Sequence, residues 1–182
     1  MRKLTTLQDV YKEIKKWIHV IRRRSKRLFK TLHIRVTYVH HWDDYCYMMA
    51  HNYAVRRSCC DSHECEILIN LQKFTKDFVQ KWEQYQNLRD YCIACFSSFY
   101  YILLHEVRHA AQHRHIFIKL HKNKKMYDRF VIWLFNKYKD IPNSDEESPI
   151  EKDAYNYQKY KEYKDILDGL DFLDPEIEEF LN

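Results

Sequence analysis

Hydrophobic residues recur at helical spacing over residues 6–30. Leu7, Val10, Tyr11, Ile14, Trp17, Ile18, Ile21, Leu28 and Phe29 alternate there with lysines and arginines, which predicts one amphipathic helix. The period then changes. Ile34-Arg35-Val36-Thr37-Tyr38-Val39 alternates and is β-branched, so it reads as a strand. His40–Asp44 reads as a loop, and residues 45–57 fit one strand or two. Cys59–Cys65 reads as a turn between strands, and Glu66–Leu71 is the sharpest strand signal. Lys73–Leu88 is a polar helix or an ordered connection anchored by Phe74, Phe78 and Trp82. From about Arg89 to His115 the pattern predicts one long helix with Cys92, Cys95, Phe96, Phe99, Leu103 and Val107 inward. A further apolar helix spans 125–138, followed by a loop holding Pro142, Asn143, Ser144 and Asp145. Ser148-Pro149-Ile150-Glu151 then opens another helix, with Ser as N-cap, Pro at the first position and Glu at the third. That helix runs to about Asp168, with Gly169 as its C-cap, and Asp174-Pro175 opens a short acidic helix.

The order of elements is that of a helix-rich α+β fold, a short sheet of about three strands packed on the long helix. No repeat or linker divides residues 1–182, so a single domain is expected. Composition sharpens this. One glycine and three prolines in 182 residues leave little material for tight hairpins, and 46% hydrophobic content excludes a disordered chain. Net charge is +5, too mild to require nucleic acid. The run Arg22–Arg27 reads as a solvated helix face, with nucleic acid or an acidic partner as its weaker functional reading. No apolar stretch is long enough to span a membrane, and Met1–Val10 has no apolar core of signal-peptide type. A cytoplasmic protein with six reduced cysteines is expected.

Candidate chemistry sits within the long helix, in Leu104-His105-Glu106-Val107-Arg108-His109. His105 and His109 are one helical turn apart, about 40° of rotation and roughly 6 Å of rise, so both rings leave one face. Two neutral imidazoles at that spacing can bind one Zn²⁺, and Glu106 beside them can act as general base toward a water at the ion. A catalytic zinc needs a third protein ligand. His113 lies about 12 Å along the axis from His105 and cannot converge with it. His115 stands where the H-E-x-x-H-x-x-G-x-x-H pattern places a third histidine, but Gln112 replaces the glycine that turns the chain back. Glu151 and Glu147 are the carboxylates near the following helix, and Glu151 also suits the capping box. Other clusters are weaker. His40-His41-Trp42-Asp43-Asp44 points neighbours to opposite faces. The thiols and His63 of Cys59–Cys65 lack paired zinc-site spacing. Cys92-Ile93-Ala94-Cys95 reads as core packing rather than a redox pair.

His-Glu-x-x-His on an apolar helix, followed by Pro149-Ile150-Glu151-Lys152-Asp153-Ala154-Tyr155-Asn156-Tyr157, resembles the gluzincin metallopeptidases. The second string resembles the E-x-x-A-x-x-F stretch of small cytoplasmic ImmA/IrrE-like peptidases. The resemblance implies a zincin-like domain in which Glu151 is the third ligand and Ala154 lets the two helices approach. It also implies that Asp153 holds a ligand histidine through its other ring nitrogen and that Glu66–Leu71 is the edge strand receiving substrate. Val107-Arg108 departs from the pattern, so Arg108 is expected to point away from the ion toward Asp153 or Glu147. The function expected is zinc-dependent hydrolysis of peptide bonds in a protein or peptide substrate. The alternative is a non-catalytic binding protein with a structural zinc or a basic interaction surface.

Overall fold

The computed structural model describes residues 3–42, 46–138 and 148–160, together with Ile177 and Phe180. The helix expected over 6–30 is two: α1 (Leu7–Arg24) and α2 (Lys26–Thr31). The Thr6 hydroxyl caps α1 by accepting the Asp9 N–H at 3.2 Å, and Val10, Ile14, Ile18 and Ile21 form its buried stripe. The break falls at Ser25, whose φ of −110° and ψ of 31° leave the helical region. Beyond the turn Phe29 is buried at 3% exposure.

The sheet has three strands in the order β1-β3-β2, where β1 is Ile34–Val39, β2 is Met48–Arg56 and β3 is Asp61–Asn70. β1 runs parallel to β3, with Ile34 opposite Cys65. β2 is antiparallel, with Ala50 opposite Ile67. Residues 48–56 are thus one strand. The cysteine segment is mostly strand rather than turn: β3 already starts at Asp61, and the reversal is the tight Arg57–Cys60 turn closed by the Arg57 N–H on the Cys60 carbonyl at 3.0 Å. His63, Cys65, Ile67 and Ile69 alternate inward along β3. One expectation fails here. β3 is the central strand, hydrogen-bonded on both sides, so it cannot accept a further strand; the edges are β1 and β2.

Asn70 ends β3 and caps α3 (Leu71–Gln84), its Oδ1 accepting the Lys73 N–H at 3.1 Å. The long helix α4 spans Leu88–Lys119. From Leu103 to Gln112 every residue is buried, polar ones included. A helix covered on all sides must satisfy its polar groups internally. The cover comes from β2 and β3, from α5 (Lys124–Tyr138) and from α6 (Pro149–Tyr160). Chain reversal after α4 uses non-glycine residues in the left-handed region, His121 (φ 54°) and Lys122 (φ 56°). The main core joins α1, α3, α4 and the sheet, with Trp17 edge-on to Phe78 at 6.0 Å and tilted on Phe99 at 5.4 Å. A second cluster around Ile116, Tyr127, Phe130 and Ile150 ties α5 and α6 to the far end of α4. The end of the α6 helix near Asp168, its Gly169 cap, the Asp174-Pro175 helix, Glu147 and the Pro142–Asp145 loop lie outside the described residues. Among the described residues no helix is long and apolar enough to cross a membrane.

Candidate metal centre

His105 and His109 leave α4 on one face, as their spacing requires, and their Nε2 atoms come within 2.9 Å. α6 brings Glu151 to both: its Oε2 is 3.2 Å from each Nε2. Its carboxylate thus faces the histidines rather than closing a capping box. Ala154 makes the approach possible, being fully buried on the same helix. Three ligand atoms bound to one zinc at 2.0–2.2 Å in a tetrahedral arrangement stand about 3.3 Å apart. The separations here match that triangle. Among the described residues this is the only group of His, Cys, Asp or Glu side chains that converges in this way.

The surroundings fix the tautomer of one ligand. Arg108 is buried at 1% exposure and donates to Asp153 through Nε at 2.7 Å and a terminal nitrogen at 3.1 Å. Asp153 Oδ2 also accepts from Gln112 Nε2 at 2.6 Å, and the Ile150 carbonyl accepts from the same nitrogen at 2.9 Å. Both are acceptors, so the Gln112 amide must present its NH₂ to them and its oxygen to His109. Gln112 Oε1 lies 2.9 Å from His109 Nδ1. A proton therefore sits on Nδ1, and Nε2 is the nitrogen turned toward the centre. Arg108 turns away from the centre, as expected. Asp153 does not touch a ligand ring; it acts through Gln112, which sequence reasoning passed over. The available signal was its spacing, three residues after His109 on the same helical face.

The centre favours positive charge. Burial alone would lower the His109 imidazole, but the Glu151 hydrogen bond and charge carry it up to about 9. Burial likewise works to raise Glu151, but the hydrogen bonds from His105 and His109 bring it down to about 2. Glu106 is shifted the other way: burial raises it, against the opposing pull of the two histidines and of the Ala50 N–H. That N–H donates to Glu106 Oε2 at 2.6 Å. The Ala50 carbonyl accepts from Asn52 Nδ2 at 3.2 Å. Both peptide groups of Ala50 thus face away from β3, so β2 presents its open edge to Glu106.

A cleft of about 570 Å³ opens over the centre. Its walls include Met48, Met49 and Ala50 of β2, Ile102 of α4, Leu134 of α5, and Ile150 and Tyr155 of α6. Two polar groups reach it from unforeseen positions. Asn52 Oδ1 is buried and has no partner. His113 lines the cleft with its Nδ1 2.7 Å from the Tyr127 hydroxyl, and burial lowers it to about 3, which keeps the ring neutral. The Tyr155 ring lies 4.6 Å from that of His105.

Other sequence candidates stay apart. His115 is not part of the converging group. Cys59 and Cys60 are exposed, whereas Cys65 and His63 are buried under the sheet, so these four do not assemble. The six cysteines form no disulfide. Cys95 packs in the main core, where burial pushes its thiol up to about 12. His40 and His41 are exposed; Asp43 and Asp44 lie outside the described residues. Comparison with protein-family models, curated proteins and solved structures finds no match to this chain.

Proposed function

We propose that the protein is a zinc-dependent peptidase of the gluzincin kind, resembling the ImmA/IrrE-like enzymes, with His105, His109 and Glu151 as metal ligands and Glu106 as general base. The observation that carries this reading is the triangle of two Nε2 atoms and one carboxylate oxygen at 2.9 and 3.2 Å, with Glu106 beside it. Zinc suits a two-histidine, one-carboxylate donor set, and when bound there it supplies a Lewis acid that acidifies water and polarises a carbonyl oxygen.

The remaining chemistry belongs to the chain. Glu106, its affinity for a proton raised by burial, takes one from the attacking water and returns it to the leaving amine. The edge of β2, rather than Glu66–Leu71, is the place for substrate, which would lie antiparallel or parallel along Ala50 and Asn52. The unpartnered Asn52 oxygen would accept a substrate N–H. His113, neutral and held by Tyr127, and Tyr155 are the donors nearest a developing oxyanion. The apolar cleft walls favour a substrate with a bulky hydrophobic side chain next to the scissile bond.

The test is metal content and cleavage of a peptide library by the wild type and by Glu106→Gln. About one zinc per chain is expected in both proteins, with cleavage falling by about 10²-fold or more in the variant. Protein without zinc, or an undiminished Glu106→Gln, overturns the proposal. Zinc in both proteins and cleavage in neither supports the alternative, a structural metal in a binding protein.

A further inference from the structure

Among the described residues a concave surface larger than the metal cleft lies elsewhere. A groove of about 930 Å³ runs along the outer edge of β1, whereas the metal cleft lies beside β2, at the opposite edge of the sheet. α1 and α2, bent at Ser25, form one wall. They contribute Lys15, Arg22, Arg23, Lys26 and Lys30, while β1 adds Arg35 and the turn after β2 adds Arg57. The only carboxylate in the lining is Glu64, which is engaged by Arg57 and lies 3.6 Å from Arg35. Seven cations and one carboxylate leave six net positive charges in the groove, against +5 for the whole chain. The rest of the molecule is therefore close to neutral.

Helix electrostatics explain only part of this. Arg22 and Arg23 lie in the last turn of α1, where cations complement the helix dipole. Lys30 lies likewise in the last turn of α2, but Lys15, Lys26 and Arg35 have no such reason. Among the described residues no carboxylate pairs with Arg22, Arg23, Lys26 or Lys30. Lys26 stands four residues from both Arg22 and Lys30, a like-charge spacing that disfavours helices. A concave wall that gathers unpaired cations is an anion receptor. Its floor is apolar, formed by Ile18, Phe29, Val36 and Tyr38. β1 itself is an edge, and among the described residues β3 is its only main-chain partner. Its outward N–H and C=O groups are available along the groove. Aromatic faces are not: Phe29 is buried with Arg22 over its ring, and Tyr38 packs edge-on against Tyr11 at 5.3 Å. Only the imidazoles of His19 and His33 are open rings in the lining, so the groove lacks the Phe, Tyr or Trp platform on which single-stranded nucleic acids stack.

We propose that this groove binds an extended acidic peptide segment, which adds as a strand to the outer edge of β1 while its carboxylates meet the cations of α1 and α2. The main-chain bonds would supply affinity and the alternating side chains the selectivity, carboxylates toward the helices and small apolar residues toward the floor. The proposal does not depend on the metal centre.

The probe is a fluorescein-labelled peptide of alternating Glu and Val, titrated by anisotropy with the full chain at about 0.15 M salt. Saturable binding is expected, weakened at least about ten-fold by Arg22→Glu/Lys26→Glu and unaffected by Lys119→Glu, an exposed charge reversal outside the groove. N-methylation at alternate peptide nitrogens should abolish binding, because strand addition needs those N–H donors. Circular dichroism checks that the variants fold; Arg23→Gln/Lys30→Gln replaces the double reversal if it does not. Three results overturn the proposal: no binding, equal binding by the N-methylated peptide, or tighter binding of a single-stranded oligonucleotide of matched charge.

Discussion

The two edges of one small sheet are put to opposite uses. At the β2 edge the polar groups are few and largely buried, and apart from Asn52 Oδ1 and His105 Nδ1 they meet one another: Glu106 takes the Ala50 N–H, Glu151 meets both histidines, and Asp153 is shared by Arg108 and Gln112. At the β1 edge they are many, exposed and of one sign. The difference lies in what covers each edge. α4, α5 and α6 enclose the first, so any charge there needs a partner at fixed distance. Only the bent pair α1–α2 flanks the second, and water screens its cations enough to let them stand unpaired. Burial gives geometry; exposure gives long-range attraction.

The comparison breaks most severely at Arg108. Arg108→Leu should cost about 3–5 kcal/mol of stability, because it strands the Asp153 carboxylate within the α4–α6 interface. Urea unfolding measures this, and the double variant Arg108→Leu/Asp153→Leu should recover much of the loss. Next is acid sensitivity. His63 is 1% exposed with both ring nitrogens unpartnered, and burial lowers it from its ordinary value to about 4. The unfolded chain binds a proton there first, so stability is complete above about pH 6.5 and falls as pH drops toward 4, by roughly 3 kcal/mol from this group. His113 acts in the same direction. His63→Phe, packed between Phe117 and Tyr127, should flatten the pH profile of unfolding; an unchanged slope would show that the ring is not buried neutral.

A milder change tests the tautomer chain. Gln112→Ala removes the acceptor from His109 Nδ1 and should weaken zinc binding about 10–100-fold, as read by competition with a chelating dye. Affinity equal to wild type would remove Gln112 from the centre's design. The smallest effect belongs to the other edge. Arg22→Glu/Lys26→Glu should move unfolding free energy by no more than about 0.5 kcal/mol and leave zinc content unchanged. A coupled loss of metal would show that the edges are not independent.

Periodicity located the helices and strands because burial of one face is a local property of the chain: the stripe on α1, the alternation in β1 and β3, the inward row of α4 through Cys95, Phe99, Leu103 and Val107. It missed the break at Ser25, because Leu28 and Phe29 continue the helical phase of α1 across it and the charged residues between carry no phase signal. Of the candidate centre, His105, Glu106 and His109 were legible because one helical turn sets their relation. Glu151 was legible through the resemblance of its helix to the gluzincin E-x-x-A-x-x-F stretch, while the local helix-start motif pointed to a cap instead. That its oxygen lies 3.2 Å from both rings, that Asp153 works through Gln112, and that β2 rather than β3 borders the centre were not. Each depends on how elements far apart in sequence dock. Hydrogen bonding within a segment can be read from the segment; the order of strands in a sheet and the partner of a buried side chain are set by long-range packing, which only the folded chain specifies.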